Sequence, residues 1–99
     1  MISARLHISG DETLLAACDM TLLGQEFRDG RLKLVVSRDF YEGMEVDTSR
    51  FLELMGAATM ANLVGEETVG AAVDGGFVDR KCVLHVAGVP HAQMVLYEV

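Results

Sequence analysis

Ninety-nine residues, 51% of them hydrophobic, carry 8 Lys+Arg against 15 Asp+Glu, for a formal net charge of −7. Such a chain is no disordered tail, its length suits one domain (residues 1–99) with one core, and its acidity opposes indiscriminate polyanion binding. No apolar stretch approaches the roughly 20 residues of a membrane span, no secretory pattern opens the chain, and two cysteines make no disulfide framework, so a soluble cytoplasmic protein is expected.

Ile2–Ser9 alternates Ile2, Ala4, Leu6 and Ile8 with Ser3, Arg5, His7 and Ser9, the pattern of a half-buried antiparallel strand whose polar face leaves His7 in solvent. Gly10, Asp11 and Glu12 mark a turn, and the nearly continuous apolar run 13–18 suits an interior strand, giving a hairpin. Asp19 is the expected N-cap of a short turn over 20–23 that Gly24 stops. Asp29-Gly30 is a tight turn, and Leu32, Leu34 and Val36 alternate with Lys33 and Ser37 along the next strand. Phe40, Tyr41, Glu42 and Gly43 break that pattern as a loop.

Asp47, Thr48 and Ser49 precede a helical pattern to about Leu63, with Phe51, Met55 and Ala58 in one row and Leu52, Thr59 and Leu63 in another. Gly56 in its middle suggests a close backbone contact, and Gly65 its end. Glu66-Glu67 then open a second helix whose stripe is Val69, Ala72 and Val73, stopped by Gly75-Gly76. Strands over 82–87 and 94–99 flank a loop, 88–93, that holds the single proline. The expectation is therefore an α+β domain, with a mainly antiparallel four- to five-stranded sheet and two helices packed on one face.

Chemistry concentrates in few places. Pro90 stiffens the 88–93 loop, so His91 and Gln93 can present an imidazole and an amide to a ligand, against the plainer reading of a hairpin turn. Cys18 beside Asp19 can be a nucleophile with His91 as base, yet a buried cysteine more often acts as a small hydrophobe. The pair Cys82 and His85 has an odd separation that points the two side chains to opposite faces of a strand, so no metal site is expected, and His85 reads as partly buried. Nucleotide fingerprints and a nucleophile elbow are absent, and no cofactor is implied. Residues 28–38 hold Arg28, Arg31, Lys33 and Arg38 with only Asp29, a local +3, whereas 39–79 holds nine acids and only Arg50. The cations are a candidate stripe for phosphates or an acidic partner, or simply a solvated sheet face.

Several stretches together resemble one archaeal family, domain of unknown function 424. They are Cys18-Asp19 with Leu22-Leu23-Gly24, Phe40-Tyr41 with Gly43, the run from Ala58 to Glu66, and Gly88-Val89-Pro90-His91-Ala92-Gln93. The resemblance implies an archaeal cytoplasmic protein and a link to translation or RNA metabolism, and it supplies no reaction. It singles out Cys18, Asp19, Tyr41, Asn62, Glu66, Pro90, His91 and Gln93, with Asn62 near the expected helix C-terminus as a cap or a pocket amide. Two functions follow as expectations. One is a non-catalytic binding module meeting a protein or RNA partner through the basic stripe and the proline loop. The other is a small enzyme or ligand receptor with His91 as acid/base or donor. A homo-oligomer formed through an edge strand is a third arrangement.

Overall fold

The computed structural model describes residues 1–96. Eight strands run as β1 (Ile2–Ser9), β2 (Glu12–Asp19), β3 (Glu26–Asp29), β4 (Leu32–Val35), β5 (Met44–Val46), β6 (Met60–Val64), β7 (Leu84–Val86) and β8 (Val89–Val95). Between them lie helices α1 (Arg38–Tyr41), α2 (Thr48–Ala57) and α3 (Glu66–Asp74). Six strands form one sheet in the order β5-β1-β2-β6-β8-β7, and β3-β4 stands apart as a hairpin.

The α+β class holds, but the sheet is larger than expected and mixed, because β2 and β6 pair in parallel from Leu14↔Met60 to Cys18↔Val64. The reason is a misread element. The helical pattern carried to Leu63 stops at Ala57, where the Ala58 amide closes on the Leu54 carbonyl, and the chain turns into β6. An interior strand whose residues are mostly apolar on both faces shows no clean alternation, so with only Asn62 polar its periodicity does not separate it from a helix. Leu63 and Ala61 enter the helix-side core while Val64 enters the other. Gly56 meets nothing within 4 Å of a built Cβ, so it marks no close contact.

Two layers cover the sheet. On one face α2 and α3 bury Phe51, Met55, Val69 and Ala72 against Ile2, Leu15, Ala17 and Leu63. On the other, the β3-β4 hairpin and α1 bring Leu34, Val36 and Tyr41 onto Ala16, Cys18, Val64 and Val86. The interior strand β2 thus has neighbours on both faces, as its apolar run requires. Strand β1 departs from simple alternation. Ser3 is buried and donates its hydroxyl to the Tyr41 carbonyl at 2.9 Å, whereas Ile8 is 71% exposed. His7 is not left to solvent: its ring stacks on Phe40 and Nε2–H donates to the Phe40 carbonyl at 2.8 Å.

The C-terminal hairpin also differs from the expected one. Arg80–Cys82 is a 3-10 turn, β7 is only Leu84–Val86, and the turn is Ala87-Gly88, both at positive φ (51° and 82°), the two-residue geometry that matches strand twist. What was expected as a proline loop is strand β8. Pro90 fits because its carbonyl accepts from the Gly65 amide at 2.9 Å, so its missing N–H lies on that same side, past the end of β6. The expected strand over 94–99 is, where described, the end of β8 at Val95 plus Leu96, and residues 97–99 lie outside the described part. Phe40 and Tyr41 sit not in a loop but in α1, capped by the Ser37 hydroxyl, which accepts from the Phe40 amide at 3.2 Å.

Candidate functional site

The residues singled out by sequence divide between the two faces of the sheet. His91, Gln93 and Asn62 share one face on adjacent strands, through the register pairs Val64↔His91 and Asn62↔Gln93. Gln93 Nε2 donates to Asn62 Oδ1 at 2.9 Å. His91 Nδ1–H donates to the Leu63 carbonyl at 3.0 Å, since a carbonyl oxygen can only accept. Asn62 is therefore a mid-strand amide and not a helix cap. This is the hairpin side of the sheet, but the hairpin roofs only part of it. Beyond the roof a depression of about 240 Å³ is lined by Leu14, Met60, Asn62, Gln93 and Val95 among others. Val95 in its lining is 48% exposed, and Leu84 (47% exposed) pairs with His91 on the same face.

Three other candidates have structural work. Asp19 does not cap the turn that follows it. Its carboxylate accepts from the Glu67 and Thr68 amides at 3.1 and 2.8 Å and from the Thr68 hydroxyl at 2.8 Å, capping α3 from another strand. It fills the place left by Gly65, the glycine at the N-cap position, whose φ of 109° and crowding against the Asp19 carboxylate admit no side chain. Tyr41 is buried, and burial followed by the neighbouring Cys18 pushes its hydroxyl up to about 12. Burial, with the Asp19 carboxylate second, likewise pushes the Cys18 thiol up to about 12, the opposite of an activated nucleophile.

The basic stripe is largely compensated. Arg28 and Lys33 face each other across β3-β4, and both bond Glu26, at 3.0 and 3.5 Å. Arg28 first and Lys33 second hold the Glu26 carboxyl below its ordinary range. Arg38 pairs with Glu42 at 2.8 Å, and Arg31 sits in the hairpin turn with no carboxylate partner among the described residues. Among those residues no group of three or more His, Cys, Asp or Glu stands where it can hold a metal ion.

Glu66 and Pro90 belong to a second feature on the helix side, a cleft of about 190 Å³ between α3 and the β7-β8 hairpin. Arg80 and His85 line it too; sequence reasoning did not single out Arg80 and weighed His85 only as a metal ligand with Cys82. His85, expected to be partly buried, is exposed. The one available signal was its place opposite Leu84 and Val86 in a short edge strand.

The comparisons with known proteins bear on this arrangement. The family model described as "Protein of unknown function (DUF424)" matches residues 7–97. The chain belongs to this family. A crystal structure of an uncharacterized conserved protein from Methanopyrus kandleri, an archaeon, is similar at a TM-score of 0.80 and 28% identity, covering 99% of this chain and 95% of that one. No curated protein matches. The family match and the archaeal source of that similar protein agree with the motif resemblance. No helix among the described residues is long and apolar enough to cross a membrane.

Proposed function

We propose that this family member is a non-catalytic binding module that takes a protein partner on the unroofed part of its sheet. The observation that carries this reading is the Asn62–Gln93 amide pair, set with His91 on an open sheet face and flanked by Leu14, Met60 and Val95. Amides offer donors and acceptors together, so a partner's backbone can bond there while its apolar side chains meet the surrounding aliphatics.

A protein suits this face better than RNA. Apart from His91, its described residues carry no ring on which a base would stack, and the net charge is −7. Compensation of Arg28, Lys33 and Arg38 by Glu26 and Glu42 also weakens the stripe as a phosphate contact. The link to translation or RNA metabolism implied by the family resemblance enters the proposal as the partner's setting, in the cytoplasm. The enzyme reading loses its nucleophile at Cys18, Asp19 and Glu66 lie on the helix side away from His91, and Tyr41, on the His91 side, is buried in the hairpin-side core.

The test compares a photo-crosslinking residue at position 93 with one at position 33, on the hairpin's outer side, in cells that naturally make the chain. A nuclease-resistant protein adduct from 93, absent from 33 and lost on Asn62→Lys, is the expected result. Adducts to RNA, adducts between two copies, or equal adducts from both positions overturn it.

A further inference from the structure

The geometry points to a second site, independent of the sheet face: the cleft between α3 and β7-β8 binds a small aliphatic α-amino acid. Its walls are valines, Val69 and Val73 from α3 and Val83 from the approach to β7, with Pro90 as floor. Its rim carries Arg80, His85 and Glu66. None of the three forms an ion pair or side-chain hydrogen bond with another described residue.

The residues that build the cleft are oriented by the fold. Asp79 accepts from the Lys81 amide at 2.9 Å, fixing the 3-10 turn that carries Arg80. The register pair His85↔Pro90 puts the imidazole beside the proline on the helix-facing side. Gly70, inside α3, also lines the cleft, and a Cβ built there meets nothing within 4 Å. Glycine inside a helix is destabilising relative to alanine, and here no neighbour packs against it. Its effect is to keep the cleft open.

Size and charge select the occupant. A cavity of 150 Å³ holds a benzene, so about 190 Å³ accommodates roughly eight non-hydrogen atoms, the size of valine. A guanidinium and an imidazole lining one cleft suit a carboxylate, Glu66 suits an ammonium, and the valines suit a branched aliphatic side chain. The three polar groups together match a zwitterion better than a simple anion.

The experiment is a titration of the isotopically labelled full chain with L-valine, isovalerate or isobutylamine, read as amide shifts by NMR. L-Valine is expected to shift the amides of Gly70, Arg80 and His85 saturably, and to leave those of Asn62 and Gln93 in place. Arg80→Gln is expected to weaken the effect at least about tenfold, and Gly70→Leu, which fills the space, to abolish it in a chain with an unchanged fold spectrum. No saturable shift with L-valine, or shifts undiminished in both variants, overturns the site. Isovalerate or isobutylamine binding as well as L-valine overturns the amino-acid assignment. Because the sheet face is read by its own amides, failure here is distinguishable from failure of the partner site.

Discussion

The two faces of the sheet are finished differently. The helix face closes over fifteen buried residues centred on Phe51, whereas the hairpin face has eight, and much of its cover is a two-stranded hairpin outside the main sheet. An isolated hairpin is marginal in water, so β3-β4 is held by its packing and not by its own ladder. Stability therefore belongs mainly to the helix side, and the hairpin side is the one free to open or to leave part of the sheet bare. That the proposed partner face lies beside the weaker roof follows from the same asymmetry.

Truncating each layer tests this most directly. Phe51→Ala removes a fully buried ring from the helix face, and a loss of about 3–5 kcal/mol is expected in urea unfolding. Leu34→Ala removes a hairpin contact (7% exposed), with an expected loss of about 2 kcal/mol, at the low end for such changes. Hydrogen exchange should then quicken in β3, β4 and β7 before it does in β2 and β6. Equal losses from the two substitutions, or uniform exchange, break the comparison.

The next effect lies where the faces meet. Gly65→Ala forces a side chain into a left-handed position against the Asp19 carboxylate, and about 2–3 kcal/mol of destabilisation is expected. Asp19→Ala leaves the first amides of α3 uncapped and is expected to cost about 1–2 kcal/mol. Because removing Asp19 makes room for the added methyl, the double variant should lose less than the two single losses together. Additive losses would show that Asp19 is not the group Gly65 makes way for.

How legible this was depends on how local the cause is. The β1-β2 hairpin, the interior character of β2, the stripe of α3 and its stop at Gly75 all follow from spacing within one element. Strand β6 was hidden because Met60 to Val64 is apolar but for Asn62 and shows no clean alternation, and its parallel pairing with β2 is set by the forty residues between them. The site was legible in part for the same reason. His91 and Gln93 were visible as a pair two apart, but Asn62 joins them only through the β6-β8 register. Arg80, His85 and Gly70 come together only once α3 lies over the sheet edge, and nothing in their spacing announces it.

The effect that vanishes at neutral pH is the alkaline limb of stability, which Cys18 and Tyr41 tie to the hairpin face. Cys18 and Tyr41 both lie in that core, and burial pushes each up to about 12 from ordinary values of 9.0 and 10.0. Both groups are neutral when protonated, so the fold favours the protonated form. The unfolded chain loses these protons first as pH rises, binds fewer than the native state, and is favoured increasingly from about pH 9 toward 12. Near pH 7, well below both ordinary values, neither group contributes a slope. Each steepens the fall by at most about 1.4 kcal/mol per pH unit. Tyr41→Phe keeps the ring and removes one proton, so unfolding midpoints should match the parent near pH 7 and fall less steeply above pH 10. At neutral pH the exposed Cys82 should react with a thiol reagent at once, and Cys18 only as the hairpin side opens. An unchanged alkaline limb in Tyr41→Phe, or Cys18 reacting as fast as Cys82, would mean that this face is already open in the native protein.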